Sequence, residues 1–160
     1  MRIGCGMVLL GLLAGCGPPL PPPPNRAFDG LPITGSRAFA ETLAFTPCFD
    51  TSDSLRCRKD EVMLLGTGPY RAAVDVRNGR SGFDQLTLWH DRDQSALFAV
   101  SKRLEQTGWR VCRTGQEDRG DQAIWTKPGA RIRFSMDLSY WGKRRLRLLP
   151  EQGQPTGRCW

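Results

Sequence analysis

The chain has 160 residues, with 23 Lys and Arg against 16 Asp and Glu, a formal charge of +7. This is a globular composition, and the length suits one domain rather than a TIM barrel or a two-domain nucleotide enzyme. A single histidine, His90, excludes most His-based metal and triad chemistry. Met1 and Arg2 make a short charged start, followed by an apolar run from Ile3 to Ala14 that ends in Leu13-Ala14-Gly15-Cys16. The run is too short for a permanent bilayer-spanning helix and has the layout of a secretory signal.

Leu13-Ala14-Gly15-Cys16, at that distance from a charged start, resembles the lipobox of bacterial lipoproteins. The resemblance covers about the first 16 residues. It implies lipid on Cys16, cleavage before it, and Cys16 as the first residue of the mature, membrane-anchored protein. Residues 1–15 are then a signal peptide, and losing Arg2 with it lowers the charge by one. Gly17 stands where enterobacterial lipoproteins held at the inner membrane carry aspartate, so the family's sorting rule points to the outer membrane, facing the periplasm. Pro18, Pro19 and Pro21 to Pro24 predict polyproline II, a semi-rigid spacer of roughly 20 Å at about 3.1 Å per residue. The segment 16–35 reads as an anchored linker, with Asn25 to Gly35 irregular, and 36–160 as one folded domain.

Ser36 to Phe45 predicts a short helix. Of six cysteines, Cys5 lies in the signal and Cys16 takes lipid, leaving Cys48, Cys57, Cys112 and Cys159. An even number in an exported chain reads as disulfides, and four cysteines allow three pairings. Cys48 and Cys57 bracket the polar Phe49–Arg56 loop and close it most cheaply, which leaves Cys112 with Cys159. A zinc site lacks the close cysteine pairs it needs.

Tyr70, Ala72, Val74 and Val76 alternate as a half-buried strand. Asn78-Gly79 marks a turn, and Phe83 to Trp89 returns with Leu86 and Leu88 on one face. A helix is expected over Asp93–Thr107, with Asp91 or Asp93 as cap and Asp91 with Gln94 as a capping box. Gly108 stops it, and Trp109 falls where a Schellman motif sets a hydrophobic residue against Leu104. Ala96, Leu97, Val100 and Leu104 form its apolar stripe. Phe98 lies opposite and calls for a second cover, expected from Phe39 and Leu43. Four strand-like runs follow, Trp109–Arg113, Gln122–Lys127, Ala130–Tyr140 and Lys143–Leu149. Pro128-Gly129 is a turn, and Trp141-Gly142 makes a reversal.

The expected fold is α+β, an antiparallel sheet with one main helix packed on one face. Its element order is similar to the helix-grip domains of some outer-membrane barrel-assembly lipoproteins, without their closing helix and without a shared motif in the body.

His90-Asp91-Arg92-Asp93 is the one cluster mixing histidine and carboxylates, and it reads as capping rather than a metal site. Gly66-Thr67-Gly68-Pro69 lacks the Lys-Ser/Thr of a phosphate loop and reads as a turn. With no nucleophile elbow and no free cysteine, the chain reads as a binding protein rather than an enzyme, with no cofactor and no metal. Five tryptophans could line a sugar cleft or fill a core. In the alternating strand pair, Arg131, Arg133, Arg145 and Arg147 share the polar face. They predict an open basic surface for an acidic envelope component, such as anionic lipid, lipopolysaccharide, cell wall or an acidic protein, and not nucleic acid. The reading is a lipid-anchored binding, accessory or structural protein of the cell envelope. A periplasmic inhibitor or immunity-type lipoprotein is the alternative, and a wall-glycan hydrolase the third.

Overall fold

The computed structural model describes residues 19–115, 122–138, 144–155 and 157–160. The expected signal peptide (residues 1–15), the expected lipidation site Cys16 and the expected reversal at Trp141-Gly142 lie outside the described residues. The chain is mostly antiparallel sheet with few helices.

β1 (Arg26–Phe28) and β2 (Leu31–Ser36) form a hairpin. Residues 31–35 of β2 are all buried. The stretch expected to be irregular linker is therefore core strand, and the folded body starts near residue 25 rather than 36. Leu-Pro-Ile-Thr-Gly has no period-two alternation because both faces of this strand are covered, and Pro32 and Gly35 read locally as loop residues. Gly35 is required where it stands: at φ +147°, an added Cβ would meet Asn25 Oδ1 at 2.5 Å and the Phe39 ring at 2.8 Å.

The proline run is not a free spacer either. The Leu20 N–H donates to the Gly79 carbonyl at 3.2 Å, and the Leu20 carbonyl accepts from the Ser81 N–H at 3.2 Å. The Thr34 hydroxyl donates to the Pro24 carbonyl at 2.6 Å. From Leu20 onward the run is a strap tied to the body, which removes most of the expected standoff.

Ser36 caps α1 (Arg37–Thr42), its Oγ accepting from the Phe39 N–H at 3.2 Å. β3 (Cys48–Asp50), β4 (Ser54–Leu64) and β5 (Thr67–Arg77) then form consecutive antiparallel pairs. The expected polar loop Phe49–Arg56 is mostly the β3–β4 hairpin, turning over residues 51–53. Leu65 (φ +51°) and Gly66 (φ +74°) make the tight β4–β5 turn. β6 (Gly82–Phe83) pairs with β2, whereas β7 (Leu86–Trp89) pairs back on β5, with Leu86 and Leu88 fully buried as expected.

α2 (Phe98–Gln106) starts five residues later than expected, and no capping box forms. Gln94 instead accepts the Arg144 backbone N–H and, through its carbonyl, the Arg144 guanidinium at 2.9 Å. The other end closes as a Schellman motif: Gly108 (φ +83°) donates to Glu105 and Trp109 to the Leu104 carbonyl, both at 3.1 Å. Leu97, Val100 and Leu104 are buried. Phe98 stays 44% exposed, and what lies over its ring is the Arg144 guanidinium at 4.3 Å, not Phe39 and Leu43.

β8 (Arg110–Arg113), β9 (Gln122–Thr126), β10 (Ile132–Asp137) and β11 (Leu146–Pro150) match the four expected runs. β12 (Arg158–Cys159) was not foreseen. The large sheet has nine strands in the order β12-β8-β9-β10-β11-β7-β5-β4-β3, and β1-β2-β6 form a second, three-stranded sheet. One face of the large sheet carries Val74, Leu86, Leu88, Leu146, Leu148 and Phe134, all fully buried. Phe134 meets Trp109 at 4.8 Å and Phe28 at 5.5 Å, both edge-on, which joins the small sheet to this core.

Both expected disulfides form. Cys48 lies opposite Cys57 and Cys112 opposite Cys159 in register, with Cα separations of 4.0 and 3.9 Å. They join the outermost strand pair at each edge of the large sheet.

Candidate anion-binding groove

Strand alternation builds the site. The face of the large sheet turned away from the core carries the residues that alternate with the buried ones. Register sets four of them in one row across four strands: Arg147 opposite Thr87, Thr87 opposite Ala73, and Ala73 opposite Arg58. With strands about 4.8 Å apart, that row spans roughly 14 Å. Small Ala73 and Thr87 form the floor, and the arginines rise at its two sides. Arg145, Trp89, Gln85, Arg56 and Asp75 complete the lining of a half-open groove of about 270 Å³.

Its charges are not equivalent. Arg56 lies opposite Asp75 and binds it through two hydrogen bonds of 2.6 and 3.0 Å. The Asp75 hydrogen bond raises the Arg56 pKa above its ordinary value, against the opposing effect of burial. That pair is locally neutral. Arg58 has its guanidinium 4.6 Å from the Phe49 ring centre and 5.8 Å from that of Trp89, and its Nε is buried without a hydrogen-bond partner. Among the described residues, Arg58, Arg145 and Arg147 make no ion pair. The groove thus holds three uncompensated guanidinium groups beside one neutral pair.

Trp89 is fixed from the side. Its indole N–H donates to Asp91 Oδ1 at 3.0 Å, and Arg71 Nε holds Asp91 Oδ2 at 2.6 Å. The indole's one polar group is engaged, so Trp89 offers the groove an apolar ring.

The four arginines singled out from the sequence divide. Arg145 and Arg147 line the groove. Arg131 and Arg133 share the face on β10 and its approach but line no part of the groove, and Arg133 donates to the Gln152 side chain. Arg56, Arg58 and Trp89 were missed. Arg56 and Arg58 flank Cys57 at strand parity, a signal obscured by reading the disulfide-bracketed residues as a loop. Of the tryptophans, Trp109 and Trp125 are core, Trp89 is in the groove, Trp160 is exposed, and Trp141 lies outside the described residues.

The His90 cluster does not cap α2, whose N-cap Leu97 has no side-chain bond; it closes the turns that lead to the helix. His90 Nδ1 accepts the backbone N–H groups of Asp93 at 2.8 Å and Arg92 at 3.3 Å. Asp93 accepts the Ser95 N–H at 2.8 Å and hydroxyl at 2.6 Å, and these bonds hold its carboxyl below the ordinary range. Among the described residues, no three His, Cys, Asp or Glu side chains stand together to hold a metal, and no helix is long and apolar enough to cross a membrane. No family model matches the chain, and no curated protein or solved structure matches it.

Proposed function

We propose that the protein is a lipid-anchored component of the cell envelope, at the outer membrane facing the periplasm, that binds an anionic envelope component on the open face of its large sheet. The observation that carries this reading is the convergence of Arg58, Arg145 and Arg147 on one groove with no free carboxylate among its lining residues, Asp75 being held by Arg56. Arg131 and Arg133 extend the same basic face. The anchor rests on the lipobox-like Leu13-Ala14-Gly15-Cys16. Cys16 stands four residues before the tied Leu20, so the lipid is within about 14 Å of the 78–81 turn even with the chain extended. Near an anionic bilayer each basic residue adds about 1 kcal/mol, falling off within a Debye length.

The finer architecture belongs to the same proposal: α2 as the one main helix, lying over the core face of the large sheet in a helix-grip-like arrangement. Burial of Leu97, Val100 and Leu104 supports it, as does the Tyr70 hydroxyl, which reaches across to the Ala96 carbonyl at 3.2 Å. The core then lies beneath the helix, and the opposite face is left for ligand.

Two measurements test the function. Cys16→Ser should abolish incorporation of a fatty-acid probe and release the protein from the membrane fraction; unchanged labelling removes the anchor. The unlipidated protein should co-sediment with anionic but not neutral liposomes or with purified cell wall, less so at high salt. A double Arg145→Glu, Arg147→Glu variant should lose that binding and keep its thermal midpoint. Equal retention of wild type and variant on every anionic target would make these arginines ordinary solvated surface.

A further inference from the structure

We infer that the groove takes a phosphate monoester carried on a sugar ring, an inference that rests on the anion-binding reading above and names its ligand. The chemistry is selected in three steps.

The first is charge. Arg58, Arg145 and Arg147 are uncompensated among the described residues, while Arg56 is matched by Asp75. A carboxylate would neutralise one guanidinium. A phosphate monoester carries about −1.5 to −2 at pH 7 and offers three strong acceptor oxygens. Guanidinium groups are planar forks that bind such oxygens in pairs. Donors from two sides of one groove suit a tetrahedral group better than a flat one.

The second is preorganisation. Arg58 is held beside the Phe49 ring, and its buried Nε has no hydrogen-bond partner. Stacking on Phe49 and burial of Nε fix the guanidinium at the groove wall before a ligand arrives, which lowers the ordering cost of binding. Ala73 and Thr87 leave the space between the arginines open, and the Thr87 Oγ1 accepts from Gln85 Nε2 at 3.2 Å, which keeps its own proton available to donate.

The third is the remaining volume. About 270 Å³ falls just short of the roughly 300–1,000 Å³ typical of drug-sized ligand sites, yet exceeds what a phosphate alone would occupy. The rest of the groove is walled by Trp89, whose N–H is already committed to Asp91. An apolar ring wall beside a cluster of cations fits the C–H face of a sugar next to its phosphate. The same chemistry is offered by a soluble hexose phosphate and by the head group of a phosphorylated glycolipid.

The test uses the full protein purified from membranes in detergent, titrated calorimetrically with glucose 1-phosphate, glucose, inorganic phosphate, a detergent-dispersed phosphorylated glycolipid, and phosphatidylglycerol. Glucose 1-phosphate should bind saturably and at least tenfold more tightly than inorganic phosphate, and glucose should not bind. Arg145→Gln and Arg147→Gln should each weaken glucose 1-phosphate at least tenfold. Trp89→Ala should abolish the preference for the sugar phosphate over phosphate. Lys102→Gln, the same charge loss on exposed helix surface, should change nothing, and thermal midpoints establish that each variant is folded. A tighter glycolipid or a tighter soluble sugar phosphate each supports the proposal and identifies the source. Inorganic phosphate binding as tightly as glucose 1-phosphate, unaltered by Trp89→Ala, overturns it. Phosphatidylglycerol binding without any glucose 1-phosphate binding overturns the sugar phosphate and leaves the anion-binding reading in place. Loss of every anionic ligand overturns both.

Discussion

The two disulfides should differ in what they contribute, and the difference can be worked from where they sit. Each ties an outermost strand to its neighbour: β3 to β4 at one edge of the large sheet, β12 to β8 at the other. Both edge strands are short, of three and two residues, and would fray without the cross-link. The Cys48–Cys57 bridge closes a separation of 9 residues, and Cys112–Cys159 one of 47. In the chain-entropy treatment these loops are worth about 2.6 and about 4 kcal/mol at 25 °C. The wider loop contains β9, β10 and β11, so its bridge restrains the unfolded path of three of the strands that frame the core. For a body of this size 1 kcal/mol moves the thermal midpoint by about 3–5 °C. Cys112→Ala with Cys159→Ala should therefore lower the midpoint by about 12–20 °C, and Cys48→Ala with Cys57→Ala by about 8–13 °C. Thermal unfolding followed by circular dichroism, with and without reductant, measures both. If the local pair costs as much as the wide one, loop closure is not how these bridges act. If reductant leaves the wild-type midpoint unmoved, neither bridge stabilises the fold.

Three further outcomes follow from particular contacts. Gly82→Ala places a Cβ 2.4 Å from the Gly35 carbonyl and 2.7 Å from Pro22; it should cost about 1–3 kcal/mol and speed amide exchange at Ser81, whose N–H holds the strap, and unchanged exchange would mean the strap is not held there. Phe134→Ala empties the site between Trp109 and Phe28 and should cost about 3–5 kcal/mol in denaturant unfolding, with less than 1 kcal/mol showing that the site is not packed as described. The Asp93 carboxyl is lowered by its bonds to Ser95, so its contribution is present above the ordinary carboxylate pKa and lost as pH falls through the lowered one. The difference in midpoint between wild type and Asp93→Asn should accordingly be constant above pH 5 and shrink toward pH 3, and a difference that grows on acidification would contradict the assignment.

What could be read from the sequence was what local periodicity or chain closure dictates. Ile132, Phe134 and Met136 alternate with polar neighbours because that face of β10 is the core face, while the other face carries Arg133, the buried Ser135 and Asp137. Leu86 and Leu88, the Gly108 stop and the two disulfides were legible for similarly local reasons. β2 was not, because a strand buried on both faces has no alternation and this one also carries Pro32 and Gly35. The late start of α2 depends on Gln94 bonding Arg144, 50 residues away, and no capping rule anticipates such a partner. The site was half legible. Parity placed Arg145 and Arg147 on the outer face. Arg58 and Trp89 join them only because β11 returns to β7 rather than ending the sheet at an edge, and that pairing is a property of the whole topology.

That topology also decides how much charge the face can hold without ligand. A sheet face studded with arginines is ordinarily offset by acids in the neighbouring rows. Here Asp75 is taken by Arg56, and Asp91 by Arg71 and Trp89, so neither reaches the groove's remaining cations. Unit charges about 7 to 14 Å apart, the strand spacings of these arginines, repel by about 0.3–0.6 kcal/mol in water and about 1.2–2.4 kcal/mol at an effective dielectric near 20. Three arginines around one groove make three such pairs, a penalty of a few kcal/mol at most. The core face, with Phe134, Leu86 and Leu148 fully buried, and the bridged edges can carry it. The same separation makes the site testable, because the side chains that would bind ligand are not those that hold the fold together. Neutralising Arg145 or Arg147 should relieve repulsion and leave the midpoint equal or higher, whereas the same change at Arg56 strands a half-buried Asp75 and should lower it.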